Sequence, residues 1–75
     1  MKEKNPPFDS ARNGKRLREI RSKHGITAKQ LAEEIGSTEA SICAYERGIR
    51  DPYDEIKVRI ANYFDMTVQE LFFNK

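Results

Sequence analysis

Seventy-five residues make one small domain at most. A chain of that size hides only about 60% of its unfolded surface, so its core is thin and a partner subunit is an expected source of further burial. Hydrophobic residues make up 37% and charged residues 35%, no run approaches the roughly 18 apolar residues of a membrane span, and no apolar stretch follows the charges of Met1 to Pro7 as in a secretory signal. One cysteine and one histidine exclude an internal disulfide and a closed zinc site of four protein ligands, which points to the reducing cytoplasm.

Residues 1–8, with Pro6-Pro7, read as an extended segment, and residues 9–75 as the domain. Leu17, Ile20, Arg21 and His24 recur at the spacing of one helix face over residues 9–24, with Asp9 or Ser10 as the cap and Gly25 as the stop. Thr27 caps the next helix while Gln30 reaches back to it, and Ile26 staples onto Leu31. That helix runs through Leu31, Ala32 and Ile35 to Gly36, the residue best suited to a left-handed end. Thr38 caps a third helix, about Glu39 to Arg47, which buries Ile42 and one side of Tyr45 and meets Gly48. Asp51-Pro52 is expected to open a fourth, with proline at the first helical position. Ile56, Ile60 and Phe64 line its inner face, with Tyr53 and Ala61 beside them. Thr67 and Glu70 repeat the capping box, with Met66 and Leu71 as its staple, and start a short fifth helix ending in Leu71-Phe72-Phe73. No strand alternation interrupts this pattern, so the fold class is all-α with five helices.

The net charge of +2 is unevenly spread: residues 1–24 hold eight basic and three acidic side chains, residues 25–75 six basic and nine acidic. A basic end on an otherwise balanced chain suits a polyanion surface, and equally a solvated helix face. The segment from about 27 to 47 separates the two. Two short capped helices, a tight glycine turn and small Ala32 at their crossing describe a helix-turn-helix. In that motif the N-terminal residues of the second helix face base edges in the major groove, and free N–H groups at both helix starts accept phosphate oxygens.

From Gly14 to Phe73 the chain resembles the XRE-type, phage-repressor-like helix-turn-helix family. The match is carried by Leu17-Arg18-Glu19-Ile20-Arg21, Gly25-Ile26-Thr27, Gln30-Leu31-Ala32 and Gly36, and by Ser41-Ile42, Ala44-Tyr45-Glu46-Arg47-Gly48, Pro52, Ile60-Ala61 and Val68-Gln69-Glu70-Leu71. The resemblance implies a transcriptional regulator that binds double-stranded DNA, usually a homodimer on a near-palindromic operator, most readily as a repressor. It places Glu39, Ala40, Ala44 and Cys43 at the base-facing edge, and Ala28, Lys29, Thr38, Arg47 and Arg50 against phosphates. Arg21 and Glu46 match the family's internal pair, a task for which a bidentate guanidinium suits better than lysine. Two departures stand out: Ala28 replaces a common glutamine, and the base-facing positions carry no Arg, Lys, Gln or Asn.

Cys43 reads as a small, partly buried residue rather than a reactive thiol, and His24 as a partner of its helix dipole rather than a metal ligand. Of the adjacent Phe72 and Phe73, which point to different sides of a helix, at least one is expected at a dimer interface. No Cys/His dyad, phosphate loop or metal cluster is recognisable, so no enzyme, metal, cofactor or small-molecule ligand is expected. The alternatives are an antitoxin-like protein-binding module or a restriction–modification controller.

Overall fold

A computed structural model describes residues 10–73, with the Phe73 side chain outside the description. The expected extended segment over 1–8 and the Asp9 cap lie outside the described residues. Five helical segments follow one another: α1 (Ser10–Lys23), α2 (Ala28–Ile35), α3 (Glu39–Glu46), α4 (Asp54–Tyr63) and α5 (Gln69–Phe73), the last a single turn of π-helix. No strand occurs among the described residues.

Local chemistry accounts for most of the boundaries. The Thr27 hydroxyl accepts the Gln30 N–H at 3.0 Å, and the Gln30 side-chain Oε1 accepts the Thr27 N–H at 2.7 Å, so α2 begins with both halves of its capping box. It ends at Gly36, whose φ of 73° is the left-handed conformation that a Cβ disfavours. Thr38 caps α3 through the Ser41 N–H at 3.1 Å. Thr67 and Glu70 repeat the box ahead of α5, both bonds being 3.0 Å.

Two features of α4 differ from expectation. Pro52 is buried and lies two residues before the helix, which starts at Asp54. The Asp51 carboxylate is held by the Ser10 hydroxyl of α1, so the chain makes a corner there before winding. Tyr53 is consequently the N-cap residue, extended at ψ 159°, and falls outside the helical periodicity that turns Ile60 inward. Its side chain is exposed instead of packing beside Ile56. At the other end Asp65 takes a left-handed φ of 57° without a glycine, closing the helix as the Met66 N–H donates to the Ala61 carbonyl at 2.8 Å.

Each helix contributes one fully buried aliphatic side chain to the centre: Leu17, Leu31, Ile42, Ile60 and Leu71. Burying each contributes about 1.5–3 kcal/mol. Tyr45, Phe64 and Phe72 close the core around them. Phe72 therefore leaves the expected dimer interface, being buried together with Leu71 on α5. The expectation for Phe73 falls on a side chain outside the described residues. His24 donates from Nδ1 to the Ile20 carbonyl at 2.9 Å, near the negative end of α1, and its ring lies 4.8 Å from that of Phe64.

Two helices approach closely at Gly14. A Cβ there would come within 2.4 Å of the Tyr45 carbonyl oxygen and 2.6 Å of that of Glu46, so α1 crosses the end of α3 backbone to backbone. Neither obstacle is a flexible side chain. Gly14→Ala is expected to lower the free energy of unfolding by about 3 kcal/mol through overpacking, despite alanine's better helix propensity. Urea denaturation measures this, and an unchanged or raised midpoint refutes the close-approach account.

Candidate nucleic-acid interface

The end of α3 is anchored and its start is free. Ile42 and Tyr45 turn into the core, while Glu39 and Ala40 on the first turn are exposed. Cys43 and Ala44 are half-buried. The four residues assigned to base contact thus share one helix, two fully open and two partly covered. Capping by Thr38 leaves the Glu39 and Ala40 N–H groups ahead of the first intrahelical bonds, and the Thr27 cap does the same for Ala28 and Lys29 on α2. Ala28 is half-buried against the core, and Lys29 and Thr38 are exposed.

Beyond α3 the chain brings two cations alongside. Arg47, the C-cap residue, is exposed. Arg50 folds back along α3, its guanidinium 5.5 Å over the Tyr45 ring and Nη1 donating to the Ser41 hydroxyl at 3.5 Å. That placement sets a positive charge beside the first turn of α3, where Glu39 carries a negative one.

Arg21 and Glu46 form the pair expected from the sequence. Arg21 Nε donates to Glu46 Oε2 at 2.5 Å and Nη2 to Oε1 at 3.0 Å, while Nη1 donates to the Ile26 carbonyl at 2.8 Å. Their side chains keep 16% and 7% of their exposure. The hydrogen bond that Arg21 donates to the Glu46 carboxylate raises the Arg21 pKa above its ordinary value, against the opposing effect of burial. One guanidinium therefore ties α1, the lead into α2 and the end of α3 together.

Other arginines of the basic end have uses that the sequence reading did not assign. Arg16 Nε donates to the Glu70 and Leu71 carbonyls at 3.2 and 3.1 Å, holding α5 to α1. Arg18 lines a cleft with Cys43 and Arg47. On α4, Arg59 donates from Nη1 to the Ile35 carbonyl at 3.1 Å, closing the open end of α2. The signal for Arg18 was present: Gly14, Arg18 and Arg21 recur along one stripe of α1, the stripe that meets α3.

A family model described as a helix-turn-helix domain matches residues 14–75. The chain belongs to the XRE-like helix-turn-helix family of DNA-binding transcriptional regulators. An uncharacterized HTH-type transcriptional regulator of Archaeoglobus fulgidus is 33% identical to this XRE-like chain over 57 residues, which are 76% of the chain and 81% of the relative. Some other curated relatives are longer, and the chain spans 18% of one and 46% of another. Among solved structures, the restriction-modification controller protein C.AhdI from Aeromonas hydrophila superposes with a TM-score of 0.81 at 31% identity, over 85% of this chain and 97% of that one. The P22 c2 repressor in complex with a synthetic operator shares the fold, with a TM-score of 0.77 at 23% identity, over 80% of this chain and 91% of that one. Among the described residues, no helix is long and apolar enough to cross a membrane.

Removing either partner of the Arg21–Glu46 pair strands the other, largely desolvated, so Arg21→Ala is expected to cost about 3 kcal/mol of stability. The double variant with Glu46→Ala should lose clearly less than the two single losses together. Denaturation of all four proteins gives the coupling, and a coupling near zero contradicts a structural role for the pair. Arg21→Lys should recover only part, since an ammonium cannot serve both carboxylate oxygens and the Ile26 carbonyl with a planar fork.

Proposed function

We propose that this chain is a sequence-specific regulator that binds double-stranded DNA as a homodimer on a near-palindromic operator, and represses by occupying it. The observation that carries the reading is the free leading edge of α3, with Glu39 and Ala40 exposed while the far end of the same helix is pinned. A duplex offers such an edge a major groove wide enough for a helix. Glu39 accepts from a cytosine amino group, and Ala40 and Ala44 meet thymine methyl groups, with Cys43 at the margin of the same surface. Phosphate oxygens take the N–H groups of Ala28 and Lys29, the Thr38 hydroxyl, and the charges of Arg47 and Arg50. The flanks supply much of the affinity and the carboxylate opposes it, so DNA shape contributes a correspondingly larger share of the selectivity.

Two copies related by a two-fold axis would set their α3 helices about 34–36 Å apart, in successive major grooves. With Phe72 drawn into the core, Phe73 is the aromatic residue that the dimer interface retains in this reading. The site of action is the cytoplasm, where the operator resides. A narrower version is favoured by one observation: the 31% identity with C.AhdI over 97% of its length supports a controller of a restriction–modification system.

Selection of bound duplexes from a random pool tests the reading directly, and is expected to return a near-palindromic sequence. Log affinity should fall with log salt by roughly 0.9 for each phosphate neutralised. Arg47→Ala should weaken binding to all duplexes alike and lower that slope by about 1 for each half-site, whereas Glu39→Gln should change the preferred base at one position per half-site. The opposite pattern overturns these roles, and a chain that retains no duplex at low salt is not a DNA-binding regulator.

A further inference from the structure

Between α1 and the later half of α3 lies a cleft of about 280 Å³, lined by Arg18, Arg21, Cys43, Glu46 and Arg47. Its charges are not equivalent. Both Glu46 oxygens are taken by Arg21, so that pair contributes little net field to the opening. Arg18 and Arg47 are both exposed, and neither makes an ion pair among the described residues. Two free guanidinium groups, from two different helices, therefore bound one concavity beside Cys43.

Arg18 owes its position to the α1–α3 crossing. It stands between Gly14, which touches the backbone of α3, and Arg21, which grips Glu46, on the same stripe of α1. Its Cα is consequently fixed beside α3 while its long side chain keeps its freedom. Arg47 approaches from the C-cap of α3. Guanidinium groups match phosphate oxygens in bidentate geometry, and a pair of them on one cleft suits a single oxyanion better than a neutral or cationic group.

We propose that Arg18 and Arg47 clamp one backbone phosphate of the bound duplex, in the cleft beside Cys43, so that α1 takes part in DNA binding together with the helix-turn-helix. The inference rests on the DNA-binding reading above and extends it to a helix outside the motif. The clamp places a phosphodiester at the far end of α3 from Glu39, where the carboxylate repels it least. It therefore sets the register of α3 along the groove, and selects no base by itself.

The test uses the full chain and a duplex selected for binding to it, with affinity measured across a salt series. Arg18→Gln keeps a helix-compatible side chain and removes the charge. It should weaken binding about tenfold at about 0.1 M salt and lower the salt slope by about 1 for each half-site, with circular dichroism and melting temperature unchanged. Lys15→Gln, an exposed α1 residue outside the cleft, should leave the slope unchanged. Duplexes with a single neutral methylphosphonate, scanned along the backbone, should reveal one position per half-site where neutralisation weakens the parent protein clearly more than it weakens Arg18→Gln, in which Arg47 alone faces that phosphate. Equal affinity and slope for Arg18→Gln and the parent overturn the clamp alone. Equal losses in Lys15→Gln and Arg18→Gln overturn it too, since they show a general effect of net charge. No retention of any duplex by the parent overturns the DNA-binding reading and the clamp with it.

Discussion

The contact between α1 and the end of α3 holds the arrangement together. Gly14 admits the α3 backbone to van der Waals distance, and seven residues later Arg21 grips the Glu46 carboxylate with two parallel hydrogen bonds. The remaining donor of that guanidinium reaches the Ile26 carbonyl, just ahead of the α2 cap. Desolvating an ion pair costs several kcal/mol per charge, so such a pair adds little stability over an apolar replacement. Its value lies in geometry: a planar fork with three acceptors permits one orientation of the helices it joins. With Tyr45 and Glu46 held at one end and Ile42 buried in the middle, α3 projects its first turn by default.

That constraint also divides the basic end of the chain. Arg21 and Arg16 are used internally, one on Glu46 and the other on the carbonyls of α5. Only part of the positive charge counted along residues 1–24 is therefore available to a polyanion. Arg47 and Arg50, from the acidic remainder of the chain, join Arg18 around α3. Positive charge thus collects at the flanks and far end of α3, while its first turn carries Glu39, favourable to its own helix dipole and unfavourable to phosphate. In the proposed function such a surface draws affinity from its margins and selectivity from a small, mostly apolar edge.

Agreement between sequence and structure follows the range of each interaction. The boxes at Thr27/Gln30 and Thr67/Glu70 and the Thr38 cap join residues three apart, and all three formed as their spacing required. The Arg21–Glu46 pair was anticipated across 25 residues, from the inward face of Arg21 and the family resemblance together. Pro52 and Tyr53 went astray because Ser10, 41 residues away, holds Asp51 in a corner that no local rule contains. Phe72 is buried beside Leu71, an outcome that the packing of the short α5 against α1 decides and the adjacency of Phe72 and Phe73 does not.

Residue order by itself thus determined where the helices begin, which faces are apolar and that the second and third form a tight helix-turn-helix, because caps, turns and amphipathic stripes act within a few residues. Only the tertiary structure decided which arginines are spent on carbonyls and carboxylates inside the molecule and which surround α3. That choice depends on a backbone crossing at Gly14 and on partners tens of residues distant, whose meeting is a property of packing rather than of any short stretch of chain.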